Sequence, residues 1–312
     1  MNLTLLAGTS NPSLAADIAA ELGVPLAERE ASRFPDGEMH VEVHASVRGC
    51  DVYLVQPTSP PVEEHLLQLL LLTDACRRAG AARITAIIPY VGYARQDRRS
   101  TGREPVGARL VADLLGVGGL QRILAVDLHS SALEGMFSLP LEHLTAVPLL
   151  AEKVRLPSAT SGVLVAPDLG ATKLAERYAR LLELPVAVVL KRRLSGAQVA
   201  VRGVTGEVRD RVPVIVDDMI TTGATIEAAV QSLLEAGCRP EITVAATHGL
   251  FVGDASDRLA RLPIRRLVTT NSVRAPERGA LPLERVSIAP LLADAISRLH
   301  GNRSLNNLLV HG

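Results

Sequence analysis

Short apolar runs alternate with longer amphipathic stretches along almost the whole chain. The apolar runs have the length and the β-branched content of buried strands, and the stretches between them carry apolar residues at helical spacing. This alternation predicts right-handed β-α-β crossovers, so the expected fold class is α/β with helices flanking a mainly parallel central sheet. The predicted strands are Leu3–Ala7, Val52–Val55, Ile84–Ile88, Ile123–Val126, Val163–Val165, Val186–Leu190, Val214–Val216, Ile242–Ala246 and Leu267–Thr269. The predicted helices are Leu14–Leu22, Glu63–Arg78, Val106–Leu115, Lys173–Leu182, Ile226–Ala236 and Pro290–Leu299.

The order of these elements repeats once, which predicts two related domains in tandem. Ala79-Gly80 precedes an Ile-Thr pair in one predicted strand, and Ala236-Gly237 precedes a second Ile-Thr pair in the same way. The two echoes lie about half a chain length apart, as expected for two similar domains in tandem. We therefore expect an N-terminal domain over residues 1–146 and a C-terminal domain over residues 147–312, with the last helix a candidate for packing on the first domain.

The composition narrows the classes of function. Hydrophobic residues make up 47% and charged residues 21% of the chain, which is typical of a protein with a buried core. Lys plus Arg and Asp plus Glu number 33 each, so the net charge favours neither nucleic acid nor a membrane as a partner. The longest apolar run, Leu66–Leu72, is too short to span a bilayer, and Met1–Pro12 lacks the basic segment of a signal peptide. The odd number of cysteines (Cys50, Cys76 and Cys238), without metal-ligand spacing, favours a cytoplasmic location.

The segment Val214–Thr225, with the sequence VIVDDMITTGAT, combines the end of a buried strand with the start of a helix. Asp217 and Asp218 follow the β-branched residues, and the small residues Thr221–Thr225 open the helix. Ligands of parallel sheets bind beyond the carboxyl ends of the strands, and a glycine turn at a helix N-terminus attracts phosphate. A capped helix with one solvated acid is the structural alternative. The whole string resembles the phosphoribosyl-diphosphate-binding loop of type I phosphoribosyltransferase-like folds. This resemblance favours a site for a phosphorylated ribose, whose hydroxyls the two acids bind.

Three adjacent cations, Lys191–Arg193, end another predicted strand. Their charge suits a polyphosphate whose negative charge rises in a transition state. Residues 194–211 contain three glycines and no long apolar run, which predicts a mobile loop that closes over a substrate. A solvated basic turn is the alternative, and the neighbouring phosphate-type motifs favour the functional interpretation.

Two further strand ends each carry one candidate ligand. His129 lies in VDLHSSALEGMF (Val126–Phe137), and Asp168 lies in VAPDLGATK (Val165–Lys173). A histidine at a strand end ligates a metal or donates to a phosphate oxygen, although a single histidine is more often structural. Asp168 is either a metal ligand or a helix cap. Carboxylate and imidazole groups beside phosphates suit Mg²⁺, which proteins hold with few side chains.

Two segments of the first half have the chemistry to hold a base and its phosphates. Arg33–Glu38, RFPDGE, is a turn with an aromatic residue beside it. Ile88–Pro105, IPYVGYARQDRRSTGREP, joins a run of arginines to Tyr90 and Tyr93. Aromatic and guanidinium planes stack on bases, and arginines pair with phosphates. The neutral chain counts against a nucleic-acid ligand for these segments.

Six motifs in order give the chain a close resemblance to the ribose-phosphate pyrophosphokinase family, from about Leu5 to His300. They are FPDGE (Phe34–Glu38), PYVGYARQDR (Pro89–Arg98), REPVGARLVADLL (Arg103–Leu115), VDLHSSALEGMF, KRR (Lys191–Arg193) and VIVDDMITTGAT. The resemblance implies transfer of the diphosphoryl group of ATP to the 1-hydroxyl of ribose 5-phosphate, with Mg²⁺ as the cofactor. It also implies two phosphoribosyltransferase-like domains and a homo-oligomer, a hexamer built from dimers with shared active sites.

The same resemblance assigns roles to individual residues. Six are implied as ATP contacts, the first four supplied from a neighbouring subunit: Phe34, Asp36, Gly37, Glu38, Arg95 and Gln96. Eight are implied at the ribose 5-phosphate site: Arg193, Asp217, Asp218, Thr221, Thr222, Gly223, Ala224 and Thr225. Lys191 and Arg193 match the catalytic cations, and His129 and Asp168 match the magnesium-associated positions.

The chain departs from the family pattern at a few positions. Thr221 stands where many members carry an acid, and Ala224 where they carry glycine. Gly80 and Thr101-Gly102 replace residues that serve a regulatory phosphate and ADP site in the better-known class of the family. We therefore expect weak or altered control by phosphate and ADP.

Two other functions remain open at the level of the sequence. One is a catalytically silent homologue that regulates a true synthase, which the intact Lys191, Arg193, His129 and Asp168 disfavour. The other is a phosphoribosyltransferase, which the tandem domains and the ATP motifs disfavour. Formation of AMP that depends on ribose 5-phosphate discriminates all three functions.

Overall fold

The computed structural model describes residues 1–156, 161–193, 199–274 and 281–310, and of residues 191–193 and 199–202 it describes the backbone alone. The chain forms two compact units. The first consists of Met1–Thr145 with Ser272–Arg274 and Ser287–Gly312, and the second spans Ala146–Asn271 and ends at Val286. Among the described residues, no helix has both the length and the apolar character needed to cross a membrane.

The first unit is built on a five-stranded parallel sheet of order β1-β4-β5-β6-β7. Between β1 and β4 in the sequence, β2 and β3 form a separate antiparallel hairpin. The strands are β1 Leu3–Ala7, β2 Arg29–Arg33, β3 Met39–Val43, β4 Asp51–Val55, β5 Arg83–Ile87, β6 Arg122–Val126 and β7 Leu141–Leu144. The helices are α1 Pro12–Leu22, α2 Val62–Arg78, α3 Gly107–Val117 and, from the end of the chain, α8 Ala289–His300.

The second unit has a seven-stranded sheet of order β10-β9-β8-β11-β12-β13-β14. All neighbouring strands are parallel except β9 and β10. The strands are β8 Gly162–Ala166, β9 Val186–Arg193, β10 Val199–Thr205, β11 Val212–Ile220, β12 Ile242–Gly249, β13 Ile264–Thr270 and β14 Leu283–Val286. The helices are α4 Val147–Val154, α5 Thr172–Leu182, α6 Ala224–Glu235 and α7 Ala255–Ala260.

The central strand β8 shows why continuous apolar runs become buried parallel strands. Val163 and Val165 point into a core on one face of the second sheet, whereas Leu164 and Ala166 point into a core on the other face. Because helices cover both faces, no position along such a strand is free to be polar. The predicted α/β fold class is confirmed, and each predicted strand and helix has a counterpart in the structure.

The predicted mobile loop over residues 194–211 contains a strand in its middle part, and residues 194–198 lie outside the described residues. Residues 199–205 form β10, which pairs with β9 in antiparallel register as far as Thr205. Gly203 has a φ of 134° and marks the register shift in this pairing. Glycine therefore accommodates a bulge in a strand here, rather than giving the segment irregular structure.

The last helix completes the first unit. α8 packs on α1 within this unit. Leu292 and Ile296 are buried on α8, and Leu14 and Ile18 are buried on α1. Beyond α8 the chain returns to the sheet, since Leu309 bridges Leu144 at the end of β7.

A buried carboxylate fixes the end of α8. Asp51 at the start of β4 accepts hydrogen bonds from Arg83 Nε at 2.7 Å, Tyr53 Oη at 3.0 Å and His300 Nδ1 at 2.8 Å. Burial alone would raise the pKa of Asp51, but the hydrogen bonds from Arg83 and His300 outweigh it, so the pKa lies below the usual value. The ionised carboxylate therefore stabilises the first unit.

Candidate active site

The predicted sugar-phosphate segment lies at the carboxyl end of β11, in the middle of the second sheet. The strand runs beyond the predicted end at Val216, so Asp217 and Asp218 lie within it rather than after it. The reason is that the backbone continues its parallel ladder with β12 as far as Ile220. Both acids are half-buried. They therefore sit on a fixed strand rather than on a loop.

Asp217 experiences several unfavourable contributions to its ionisation. Burial raises its pKa most, and the negative charges of Asp218 and Asp168 raise it further. One carboxylate oxygen of Asp217 also accepts the backbone N–H of Asp218 at 2.9 Å. Three acids so arranged favour a ligand that brings either positive charge or hydroxyl donors.

The turn after β11 exposes the start of α6. Gly223 has φ 76° and ψ −6°, a left-handed conformation that glycine adopts without strain. A Cβ at this position would lie 3.1 Å from Cγ of Leu259, closer than ordinary contact. The turn is held from behind by the N–H of Val252, which donates to the carbonyl oxygen of Thr221 at 3.0 Å. Because the first N–H groups of a helix have no partner within the helix, the turn has the donors that a phosphate requires.

Asp168, at the carboxyl end of the neighbouring β8, caps the next turn. Its Oδ1 accepts the N–H groups of Gly170 at 2.9 Å and Ala171 at 3.3 Å, at the start of the 3₁₀ turn Leu169–Ala171 that leads into α5. Of the two interpretations left open above, the structure shows the cap. A carboxylate has further lone pairs, so capping does not prevent it from binding a metal-bound water.

The carboxylates fit a magnesium ion that is held mainly by phosphates and water. Among the described residues, only the exposed Glu30, Glu42 and His44 bring three ligand atoms within 4.8 Å of one another. Asp168, Asp217 and Asp218 are thus near enough to raise one pKa but do not form a closed protein cage. Mg²⁺ characteristically uses one or two carboxylates and completes its shell with water and substrate oxygens.

The backbone of Lys191 and Arg193 lies at the carboxyl end of β9, beside β8. Their predicted catalytic side chains lie outside the described part of the structure. Three adjacent strands of the second sheet, β9, β8 and β11, therefore carry the candidate cations, the capping Asp168 and the sugar-phosphate turn at the same edge. This edge is where ligands of parallel sheets bind.

In the first unit, the segment after β5 carries Arg95 and Gln96, both exposed. The backbone of this segment is fixed by the loop that follows β4, because the N–H of Gly92 donates to Oγ1 of Thr58 at 2.7 Å. A Cβ at Gly92 would lie 2.7 Å from the carbonyl oxygen of Thr58, so the close approach requires glycine. At the far end, the carbonyl oxygen of Gln96 accepts the N–H of Ala108 in the first turn of α3 at 3.2 Å.

The second predicted ATP segment is the turn of the β2–β3 hairpin. The N–H of Phe34 donates to the carbonyl oxygen of Glu38 at 2.9 Å, and Asp36 accepts the N–H of Glu38 at 3.1 Å. Phe34 is 49% exposed and rests edge-on against His40, with 5.2 Å between ring centroids. An exposed aromatic ring on a rigid turn offers a stacking surface for a base.

His129 is exposed and lies beyond the carboxyl end of β6, the strand that pairs with β5. It follows a sharp turn in which the buried Asp127 has a φ of 40°, a left-handed conformation that is strained for a residue with a Cβ. The two predicted magnesium-associated residues, His129 and Asp168, fall in different units. The strained Asp127 was part of a recognised motif, yet its backbone conformation left no signal in the sequence.

The partners of this turn were not predicted from the sequence. The N–H of Leu128 donates to Nε2 of His143 on β7 at 2.8 Å, and Nδ1 of His143 lies 2.7 Å from Oε1 of Glu134. His143 was not a candidate, because the short β7 was not predicted as a strand. Glu134 lies within the recognised motif Val126–Phe137 but was given no role. A histidine within four residues of otherwise strand-like sequence, LEHL, was the signal available.

Comparisons with known proteins cover nearly the whole chain. Residues 3–119 match the N-terminal domain of ribose phosphate pyrophosphokinase, and residues 198–310 match the phosphoribosyl synthetase-associated domain. A ribose-phosphate pyrophosphokinase of Clostridium perfringens is 40% identical over 311 residues, covering 98% of this chain and 97% of the relative. One of Bacillus subtilis is 39% identical over 308 residues, with 98% and 97% covered. The crystal structure of a phosphoribosylpyrophosphate synthetase from Mycobacterium smegmatis superimposes with a TM-score of 0.91 at 40% identity, covering 97% of this chain and all of that one.

Proposed function

Because the chain belongs to the ribose-phosphate pyrophosphokinase family, we propose that it transfers the diphosphoryl group of ATP to the 1-hydroxyl of ribose 5-phosphate. The products are 5-phosphoribosyl 1-diphosphate and AMP, and the role is in nucleotide biosynthesis. The observation that carries the proposal is the segment Asp217–Thr225, a strand-turn-helix with a left-handed Gly223 at the middle of a parallel sheet. This segment has the acids for sugar hydroxyls and the amide donors for the 5-phosphate.

The transfer needs positioning and charge stabilisation rather than a covalent nucleophile. The 1-hydroxyl oxygen attacks the β-phosphorus of ATP in line, the bond from this phosphorus to the oxygen of the α-phosphate breaks, and AMP leaves. The hydroxyl proton passes to solvent or to a nearby base. Asp217 and Asp218 hold the ribose hydroxyls, and the turn Thr221–Thr225 holds the 5-phosphate. Lys191 and Arg193 stabilise the charge on the transferring group.

ATP is assigned to the first unit. Phe34 stacks on the adenine, while Asp36, Gly37 and Glu38 bind its edge. Arg95 and Gln96 contact the phosphates, on a segment held rigid at both ends. The residues that would hold Mg²⁺ are His129 and Asp168, and the ion would supply positive charge to the phosphate oxygens.

We assign the active form to a homo-oligomer, a hexamer built from dimers, in which Phe34–Glu38 serves the site of a neighbouring subunit. The turn that presents Phe34 is fixed by its own hydrogen bonds, so the exposed ring is available to a base bound by a neighbouring subunit, which supports this assignment. The mass of the protein in solution tests it. We place the activity in the cytoplasm because Cys50, Cys76 and Cys238 are unpaired thiols.

The deciding assay measures AMP formation from ATP and its dependence on ribose 5-phosphate and Mg²⁺. Lys191→Ala is expected to lower kcat by about 100- to 1,000-fold and to leave the binding of both substrates nearly unchanged. Lys153→Ala, at an exposed position in the last turn of α4, is the matched control and should retain full activity. Absence of AMP formation by the wild-type protein would instead support a silent homologue. Unchanged turnover of the Lys191 variant would remove that residue from its role.

A further inference from the structure

β7 holds the turn before His129 at two successive amides. The N–H of Asp127 donates to the carbonyl oxygen of Leu144 at 3.0 Å, and the N–H of Leu128 donates to Nε2 of His143 at 2.8 Å. The second contact replaces a backbone acceptor by a side chain, at the point where the chain leaves the parallel ladder of β6 and β7. The direction in which His129 emerges therefore depends on the ring of His143.

The two contacts of His143 fix one tautomer of its ring. A backbone N–H only donates, so Nε2 must carry a lone pair in order to accept from Leu128. The neutral ring then has its proton on Nδ1, which lies 2.7 Å from Oε1 of Glu134 and donates to it. His143 is only 6% exposed, whereas the side chain of Glu134 is 45% exposed. The carboxylate thus orients a buried ring from the surface.

The strained backbone of Asp127 is held in place by hydrogen bonds to β7, one of them the contact between Leu128 and His143. A φ of 40° is unfavourable for a residue with a Cβ, and such conformations persist only where the surroundings hold them. The hydrogen bonds from β7 act on Asp127 and on the residue after it, directly before His129. Loss of the His143 acceptor leaves the N–H of Leu128 without this partner and favours relaxation of the turn.

We propose that His143 is a positioning residue for His129: it acts through the amide of Leu128, and Glu134 sets its tautomer. The inference rests on the proposed function, in which His129 binds the magnesium-ATP substrate. It assigns to the Glu134–His143 pair the orienting role that carboxylate-histidine pairs have next to catalytic and metal-binding groups. A buried histidine that merely satisfies its hydrogen bonds would affect folding but would not discriminate between the two substrates.

Substrate kinetics of His143→Leu and His143→Gln separate these roles. His143→Leu is expected to raise the KM for ATP at fixed Mg²⁺, and the half-saturating concentration of Mg²⁺, by about tenfold, while the KM for ribose 5-phosphate changes by less than about twofold. His143→Gln should restore most of the loss, because its amide oxygen reaches the place of Nε2 and accepts from Leu128. Thr73→Val, which removes a fully buried hydroxyl that donates to Leu69 within α2, is the control and should leave all three constants unchanged.

A second measurement detects the tautomer without substrates. In the full-length protein labelled with ¹⁵N-histidine, the nitrogens of His143 should show protonated Nδ1 and unprotonated Nε2. Glu134→Ala should increase the fraction of rings with a protonated Nε2, because the amide of Leu128 alone then favours the tautomer with a protonated Nδ1. Glu134 lies at the surface, so this variant tests the inference even if His143→Leu fails to fold. Glu134→Ala should also raise the KM for ATP and not that for ribose 5-phosphate.

The outcomes distinguish this inference from the proposed function. An active wild-type enzyme, together with a His143→Leu or Glu134→Ala variant that matches it in both KM values, overturns the positioning role alone. Equal increases in both KM values overturn it as well, because they indicate a general structural defect. A wild-type protein that forms no AMP overturns the proposed function and the catalytic part of the inference together. A protonated Nε2 in the wild type overturns the assigned geometry.

Discussion

The replacement Gly223→Ala tests whether the turn after β11 binds the sugar phosphate. Gly223 has a φ of 76° and is the residue directly before α6. Gly237 has a φ of 85° and follows the other end of the same helix. Gly237→Ala is therefore a matched control, since it introduces the same kind of backbone strain in the same unit at a distance of one helix length.

Two contributions set the expected effect of Gly223→Ala on stability and on the binding of ribose 5-phosphate. A left-handed backbone costs a residue with a Cβ about 1–2 kcal/mol relative to glycine, and this applies to both variants. At Gly223 the new Cβ would in addition lie 3.1 Å from Cγ of Leu259, whereas at Gly237 the nearest atom is Nη1 of Arg209 at 3.7 Å. The turn at Gly223 relieves its strain by rotating, and this rotation moves its N–H groups away from a phosphate. A loss of about 1.4 kcal/mol in binding corresponds to a tenfold rise in KM.

Both variants are assayed for AMP formation over a range of ribose 5-phosphate concentrations, and their free energies of unfolding are measured with urea. We expect both to lose about 1–2 kcal/mol of stability. Gly223→Ala alone should raise the KM for ribose 5-phosphate, by about tenfold or more, with little change in the KM for ATP. Equal KM values for ribose 5-phosphate in the two variants would refute the assignment of this turn to the 5-phosphate.

Two further predictions concern buried carboxylates, and a third concerns control by phosphate and ADP. The pKa of Asp51 is lowered in the folded protein, so its contribution to stability is complete above the ordinary pKa of an aspartate, about 3.9, and is lost as the pH falls through the folded value. Asp51→Asn should cost about 1–3 kcal/mol at pH 7 and make urea unfolding less sensitive to pH in the acidic range; an unchanged acid dependence would contradict the network's role. The pKa of Asp217 is raised, so its ionised form opposes folding at neutral pH, and Asp217→Asn should raise the melting temperature while weakening the binding of ribose 5-phosphate. A lower melting temperature would show that Asp217 is instead held by favourable contacts. The family resemblance implies that Gly80 and Thr101-Gly102 stand in place of regulatory residues, so we expect initial rates to respond weakly to phosphate. Strong activation by phosphate, with ADP inhibition that ribose 5-phosphate cannot overcome, would disprove this expectation.

The buried strands were predictable because each carries its own evidence. β8, β11 and β12 lie between helices on both faces, so their residues are apolar in succession and the pattern is visible without knowledge of their neighbours. The helices α1, α2 and α6 were predictable for a similar reason, since each buries one face and shows apolar residues at helical spacing.

The elements that escaped prediction depend on their partners. β2 and β3 form a two-stranded hairpin in which Glu30 and Glu42 face each other, so neither strand is apolar in succession. β14 lies at the edge of the second sheet and has exposed charges at its centre, Glu284 and Arg285. Edge strands are specified by backbone pairing more than by side-chain pattern, which single-sequence reasoning does not capture.

The residues of the candidate site also fall into those that the sequence predicts and those that depend on a tertiary contact. Motif residues such as Asp217 and His129 follow buried strands, and the topology alone places them at a carboxyl edge. The left-handed backbone of Asp127 and the ring of His143 are properties of a tertiary contact between β7 and the end of β6, so no local pattern encodes them. The strand lengths were also underestimated, which placed Asp217 and Asp218 after β11 instead of within it.

The return of α8 to α1 has a consequence for biosynthesis. Since the ribosome makes the chain from its N-terminus, Leu14 and Ile18 of α1 emerge long before Leu292 and Ile296 of α8 are added. The second unit has its sheet complete once β14 has emerged, so the unit synthesised first is the one that closes last. During translation the apolar face of α1 therefore stays uncovered until α8, more than two hundred residues downstream, has been synthesised. A nascent chain released before residue 289 would expose that face to chaperones and proteases.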